Sequence, residues 1–236
     1  MNRVQKLPVS LLGACFSALA VMSSCSKEDS VAPQPEISAV SVKSEDGAKF
    51  KSNALPVVHP TQGQICQWCL PDGYSLKNQN GVIGLSNANY LFGNTATPWI
   101  HPIRVSADSP QTFLTVGSTK DNGGQVGIYV SNLVYGQKYS FTYRVSTMSV
   151  KNASGLGQSP YAYSFHVKAP SGGPLAYKNT YLAGKENKWI TETIEFTHDN
   201  ANATTGEIKI LLSNFSNAVA YGNIHIPADA IKLVNQ

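Results

Sequence analysis

Two cysteines, in the run Cys66-Gln67-Trp68-Cys69, have a spacing that could support redox, metal, haem or structural chemistry. Haem attachment requires a histidine directly after the second cysteine, where this chain has Leu70. Zinc requires four ligands, and the sequence offers His59 but no second cysteine pair. A thioredoxin-like site would open a helix, and no helical period follows. The sequence therefore favours a structural disulfide, which would hold Trp68 either as a stacking platform for a ligand or as a lid folded back on the core.

The acidic residues form no pair suited to acid–base catalysis. Glu192 and Glu195 are three apart in a predicted strand, so they face opposite sides. Glycoside hydrolysis needs two carboxylates at a fixed separation, and the sequence proposes no such pair. It also lacks a nucleophile elbow, a His-Glu-x-x-His motif and a phosphate loop. We therefore expect no enzymatic activity and no cofactor, and the sequence assigns no ligands to a structural calcium ion.

Aromatic and cationic side chains fall on the predicted outward faces of four strands: Tyr129, Arg144, His166 and Trp189. Sugar rings present C–H faces that stack on aromatic rings, and their hydroxyls accept bonds from planar donors such as a guanidinium. If the four residues share one face of a sheet, that face would bind a glycan, with Trp68 as a further ligand-binding residue. The alternative is that they lie on different sheets and never meet.

The element that must position these residues is an alternating run from Tyr135 to Val145, which begins with a turn at Gly136-Gln137-Lys138. Its inward set is aromatic and β-branched: Tyr139, Phe141, Tyr143 and Val145. A period of two with such residues is typical of a half-buried strand. Side chains of this bulk need a facing layer, so we interpret the run as the central strand of an antiparallel sheet packed on a second sheet.

Further strands are predicted on both sides of this run, and no segment has a convincing 3.6-residue apolar period. Those before it span residues 81–85, 99–105, 112–116 and 126–130, and those after it span 161–167, 190–196, 207–212, 223–226 and 230–234. Strands and turns at this spacing indicate an all-β, two-sheet antiparallel β-sandwich of the jelly-roll type. We expect it to occupy residues 61–236, behind a flexible Pro- and Ser-rich tether at 25–60.

The first residues have the pattern of an export signal, because two basic residues precede an apolar run, Leu11 to Val21, that is too short to span a bilayer. The next residues, Val21-Met22-Ser23-Ser24-Cys25, resemble the lipobox of bacterial lipoproteins, and Ser26-Lys27-Glu28-Asp29 is similar to the export signal of Bacteroidetes surface lipoproteins. The resemblance implies a signal peptide at 1–24, palmitate-type acylation of Cys25, and membrane attachment on the outward-facing side of the outer membrane. The alternatives are ordinary secretion with Cys25 as a spare thiol, and a lipoprotein that faces the periplasm.

The charge balance argues against a nucleic-acid partner. The formal net charge of +4 falls to +2 when Arg3 and Lys6 leave with the signal peptide, and no basic stripe or arginine run remains. Only 14% of the residues are charged, which fits a neutral, turn-rich β domain.

The order of several runs resembles the galactose-binding-like jelly roll of carbohydrate-binding modules. The runs are Tyr135-Gly136-Gln137-Lys138-Tyr139-Ser140-Phe141, Trp189 with Thr193-Ile194-Glu195-Phe196-Thr197, Thr205-Gly206-Glu207-Ile208-Lys209-Ile210, and Asp229-Ala230-Ile231-Lys232-Leu233. The last run departs from the family pattern, because Pro227-Ala228 separates Ile226 from Asp229 and implies a bulge or turn. The resemblance implies a surface lipoprotein that binds a glycan or polysaccharide without catalysis. The alternative is an adhesion or interaction lipoprotein whose partner is another envelope protein.

Overall fold

Thirteen strands and one 3-10 helix make up the part of the chain that the computed structural model describes, residues 54–78, 81–104, 111–151, 157–170 and 176–234. In chain order the strands are β1 (Val57–Val58), β2 (Cys66–Gln67), β3 (Tyr74–Asn78), β4 (Val82–Asn87), β5 (Thr112–Ser118), β6 (Gln125–Ser131), β7 (Lys138–Met148), β8 (Ser164–Lys168), β9 (Tyr177–Tyr181), β10 (Ile190–Thr197), β11 (Gly206–Ser213), β12 (Ala220–His225) and β13 (Ile231–Leu233). The predicted signal peptide and Cys25 lie outside the described residues.

The strands form two antiparallel sheets that pack face to face. The first sheet has the order β1–β6–β11–β8–β9, and β3 also pairs with β6. The second sheet has the order β10–β7–β12–β5–β4–β2, and β13 also pairs with β7. The predicted all-β, two-sheet antiparallel sandwich is confirmed.

The alternating run at the centre of the sequence becomes β7, the longest strand, with β10 on one side and β12 and β13 on the other. Tyr139, Phe141, Tyr143 and Val145 are all buried between the sheets, as the period of two predicts. Phe141 and Tyr143 stack with their ring centroids 5.3 Å apart. The opposing layer comes from the first sheet, where pairs such as Ile128 and Ile208 lie side by side on β6 and β11.

Several elements differ from the prediction. β3 and β9 were not expected, and residues 99–104 form no strand but a loop that follows the 3-10 helix at Leu91–Gly93. β1 adds Val57–Val58 to the first sheet, so the sandwich includes residues before the predicted boundary at 61. The turn expected before Asp229 is confirmed, because the Ala230 amide donates to the Pro227 carbonyl over 3.2 Å.

A second, smaller core covers part of the outer face of the second sheet, the face turned away from the first sheet. Its buried members are Leu91, Trp99, Phe113, Met148 and Val150. Beneath the loop lies a buried polar chain in which the Thr115 hydroxyl lies 2.7 Å from both the Ser86 hydroxyl and the Asn223 amide oxygen. The Phe92 amide donates to Ser86, so this chain ties the loop to the sheet. We call this assembly the satellite core.

Candidate glycan-binding face

The predicted ligand-binding residues do not share one face. Tyr129 and His166 lie on β6 and β8, and both face outward from the first sheet. Arg144 and Trp189 belong to the second sheet, and Trp68 follows the short edge strand β2. The hypothesis of a single face built from four of these residues therefore does not match the structure.

Trp189 faces away from the main core, as the alternation of β10 predicts, but it is not exposed as we expected. It packs against the satellite core, and its ring meets Phe113 edge-on with 5.4 Å between centroids. Its ring nitrogen is buried and has no hydrogen-bond partner within the described part of the chain. Phe113 belongs to β5, which is distant in sequence, so the local period of β10 cannot report this contact.

We expect Trp189→Ala to lower the free energy of unfolding by about 2 kcal/mol, because the substitution removes a large ring from a packed cluster. Trp68→Ala is the matched control, since that ring is 52% exposed and surface substitutions change stability by roughly 0.5 kcal/mol or less. Urea denaturation of both variants measures the difference. Equal stability of the two variants would contradict the packing role of Trp189.

Arg144 and His225 are neighbours on the outer face of the second sheet, where β7 and β12 place them directly opposite each other. Nδ1 of His225 lies 3.1 Å from the Thr61 hydroxyl. Burial, and to a smaller degree the Arg144 guanidinium, lower the pKa of His225. The neutral ring therefore serves as a hydrogen-bond partner beside a positive charge, and Thr191 of β10 lies opposite Arg144 on the other side.

Tyr129 is half exposed, yet its surroundings already account for it. Nζ of Lys77 lies 5.8 Å from the centroid of the Tyr129 ring, a cation–π distance. The same lysine forms an ion pair with Glu207, which lies directly opposite Tyr129 on β11. The ring thus belongs to a local charge cluster on the first sheet.

His166 bridges three strands of the first sheet. Its Nδ1 lies 2.5 Å from the Asn179 amide oxygen on β9. Its Nε2 lies 2.9 Å from the Ser213 hydroxyl on β11 and 3.1 Å from the Ser164 hydroxyl on β8. Both ring nitrogens are used, so His166 positions its neighbours, and the amide NH2 of Asn179 is the group left to meet a ligand.

Beside this bridge lies an aromatic cluster that the sequence prediction missed, formed by Tyr163, Tyr181 and Phe215. The Tyr163 ring lies 4.3 Å from that of Phe215 and 5.5 Å from that of Tyr181, centroid to centroid. All three remain exposed: 36%, 53% and 69% for Tyr163, Tyr181 and Phe215. The alternation of Tyr177, Asn179 and Tyr181 could have revealed an exposed strand, but the run is short and has no apolar partner set.

The disulfide predicted from the cysteine spacing is confirmed. Cys66 and Cys69 are bonded, with 5.3 Å between their α-carbons. The bridge closes a tight loop in which Trp68 has a left-handed φ of 69°, and its amide donates to the Ile83 carbonyl. Trp68 projects from the edge of the second sheet and is exposed, so it does not fold back as a lid on the core, and it lies apart from the aromatic cluster in the sheet order.

Within the described ranges, no group of three histidine, cysteine, aspartate or glutamate side chains could hold a metal ion. None of the helical residues described forms a span long and apolar enough to cross a membrane.

No family model and no curated protein matches this sequence. Solved structures with a similar fold include one from work on the promiscuous specificity of carbohydrate-binding modules of the β-sandwich superfamily, at 13% identity and a TM-score of 0.41, covering 69% of this chain and 57% of that one. Another is TmCBM61 in complex with β-1,4-galactotriose, at 10% identity, a TM-score of 0.38 and coverages of 69% and 87%. A cyclase from Fischerella sp. TAU is 14% identical, with a TM-score of 0.44 and coverages of 77% and 100%. This chain spans little more than half of the first of these chains, and the likeness concerns the sandwich fold.

Proposed function

We propose that this protein binds a glycan, without catalysis, on the outer face of the first sheet. The observation that supports this is the aromatic cluster of Tyr163, Tyr181 and Phe215, whose rings touch each other while staying exposed. Holding three rings in water forgoes burial that would stabilise the fold, so a function is the better reason for their position. Sugar C–H faces stack on rings presented in this way.

The polar residues beside the cluster suit the hydroxyl groups of a sugar. The bond to His166 holds the Asn179 side chain, so its amide group is preorganised for a ligand. Ser213 contacts the same histidine, and so does Ser164, which lies directly opposite Tyr181 and is buried. Donors and rings therefore lie on neighbouring strands, which is the combination that orients a sugar as well as holding it.

On the outer face of the first sheet, the end of β8 and β9 that lies away from the aromatic cluster carries positive charge. Lys168 and Lys209 lie directly opposite each other on β8 and β11, and Lys168 also lies opposite Tyr177, which is 67% exposed. Like charges placed opposite each other destabilise a sheet, and Lys209 has only a distant ion pair, 4.0 Å, with Glu207. A carboxylate or sulfate group on the glycan would offset this repulsion, so we propose acidic polysaccharides as the preferred ligands.

The location follows from the leader sequence. We propose that export and acylation at Cys25 place the sandwich on the outer surface of the outer membrane, on the tether at 25–60. A glycan-binding domain in that place would hold a polysaccharide close to the cell. If no glycan binds and surface cross-linking recovers an envelope protein instead, an interaction role replaces this proposal.

We expect the purified mature protein to bind an acidic polysaccharide in an affinity-gel or array screen, and Tyr181→Ala to weaken that binding about tenfold, or about 1.4 kcal/mol. Tyr135→Ala is the matched control, because Tyr135 is exposed to a similar degree, 61% against 53% for Tyr181, but lies in the turn before β7. Binding to the acidic ligand should weaken as salt is raised. An unchanged affinity of Tyr181→Ala would remove the aromatic cluster from the site.

A further inference from the structure

The open edge of β9 has an unusual sequence symmetry. β9 is the last strand of the first sheet, and within the described part of the chain it pairs only with β8. Its five residues are Tyr177-Lys178-Asn179-Thr180-Tyr181. The outward-facing residues are therefore Tyr, Asn and Tyr, an order that is the same when the strand is followed in either direction from Asn179. An edge strand presents unpaired backbone groups, which most proteins protect with charge, bulges or coverage.

The register with β8 fixes which backbone groups face the open edge. The Leu182 amide donates to the Tyr163 carbonyl, and the Ala169 amide donates to the Ala176 carbonyl. Because hydrogen-bonded pairs alternate along an antiparallel ladder, the backbone groups of Lys178 and Thr180 also point to β8. Those of Tyr177, Asn179 and Tyr181 therefore point away from the sheet.

The usual protection of an edge is missing on the outward face of β9. Its charged residue, Lys178, points toward the other sheet, where it pairs with Glu192 over 3.1 Å. Thr180 also turns that way and donates to Glu192 over 3.2 Å. The edge strand of the second sheet differs, because β10 keeps Glu195 exposed on its outer face.

We propose that β9 pairs with β9 of a second copy of this chain, antiparallel and centred on Asn179. In that register Asn179 lies opposite the partner's Asn179, and Tyr177 lies opposite the partner's Tyr181. Every backbone group that points away from β8 then finds a partner, and Lys178 faces a threonine rather than another lysine. If the register shifted by one residue, the partner strand would need hydrogen bonds from the backbone groups of Lys178 and Thr180, which already bond to β8. The register centred on Asn179 is therefore specific.

The dimer would join the two first sheets into one continuous sheet. The aromatic cluster of each copy would lie on the same side of it, since two strands related in this way keep their outward faces together. This proposal stands on the geometry of the edge and does not depend on the nature of the ligand.

Cysteine cross-linking in the full chain, expressed in cells that export it, tests the register. The two α-carbons at position 179 would lie about 5.5 Å apart, within the ~4.4–6.8 Å that a disulfide spans. We expect Asn179→Cys to give a covalent dimer on a non-reducing gel after mild oxidation. Tyr177→Cys and Tyr181→Cys should each stay monomeric, because each position is offset from its own copy by four residues, roughly 13 Å along the strand.

The double variant Tyr177→Cys with Tyr181→Cys should cross-link, because position 177 of one copy lies opposite position 181 of the other and both positions then carry a thiol. This variant leaves Asn179 and its bond to His166 intact, so it separates the register from any local effect of the first substitution. The proposal is overturned if neither Asn179→Cys nor the double variant forms the dimer. Equal cross-linking by all four variants would also overturn it, because random collision has no register.

Discussion

Trp99→Ala should lower the free energy of unfolding by roughly 3–5 kcal/mol, the largest stability loss we expect from a single change outside the main core. Trp99 is buried in the satellite core, where its ring lies 6.2 Å from Phe113 and 6.4 Å from Tyr221 between centroids. Its ring nitrogen donates to the Asn87 carbonyl over 2.9 Å, so the same side chain fixes the loop to β4. Removing it opens a cavity and exposes the buried polar chain around Thr115.

Chemical denaturation of purified protein measures this loss, and Trp99→Phe provides the graded control. Phenylalanine keeps much of the ring contact but leaves the Asn87 carbonyl without its donor, a loss of roughly 1–3 kcal/mol. Below the unfolding transition, glycan binding by both variants should stay normal, since the satellite core covers the opposite sheet from the aromatic cluster. A loss below 1 kcal/mol for Trp99→Ala would mean that the loop is held by other contacts.

Cys25→Ser should remove the protein from the outer-membrane fraction almost completely. The substitution takes away the only thiol at the predicted cleavage site, and with it the proposed attachment point of the acyl chains that would hold the protein on the bilayer. The mature chain would carry a formal net charge of only +2 after loss of Arg3 and Lys6, which is too little for electrostatic binding to replace the lipid.

Cys15→Ser is the matched control, because this thiol lies within the apolar run and would leave with the predicted signal peptide. It should keep normal fractionation. Metabolic labelling with a fatty-acid analogue adds a direct readout: label on the wild type and on Cys15→Ser, and none on Cys25→Ser. If Cys25→Ser stays in the outer membrane, the lipobox interpretation is wrong.

The strands that pack both sheets together could be predicted because their burial leaves a local signature. β6, β7, β10 and β11 alternate between buried and exposed side chains, and each was located from that period alone. β3 and β9 could not be found in this way, since β3 is half-buried along its length and β9 buries one residue only. Edge strands of this kind are specified by their neighbours rather than by their own pattern.

The candidate site was predicted less well, because a face is a property of several strands at once. The period of β10 predicts the direction of Trp189 correctly, but the packing of its ring against Phe113 and the satellite core depends on residues distant in sequence. The partners of His166 come from three strands, and Asn179 belongs to one that the sequence did not reveal. Phe215 joins Tyr163 across more than 50 residues of chain, so no local pattern could pair them.

The way in which the chain enters the sandwich sets its response to mechanical load. β1 forms only two residue pairs with β6, supported by a bond from Asn132 to the Leu55 carbonyl. A few residues later, Thr61 is pinned by its amide to the Ile226 carbonyl, and its own carbonyl accepts from the Thr112 hydroxyl in the opposite sheet. Tension applied through the preceding residues would load β1, and then the bond from the Tyr74 hydroxyl to the His59 carbonyl, before it reached Thr61. Because Thr61 is bonded both to β5 and to the residue after β12, we expect β1 to detach under such a load before the rest of the sandwich unfolds.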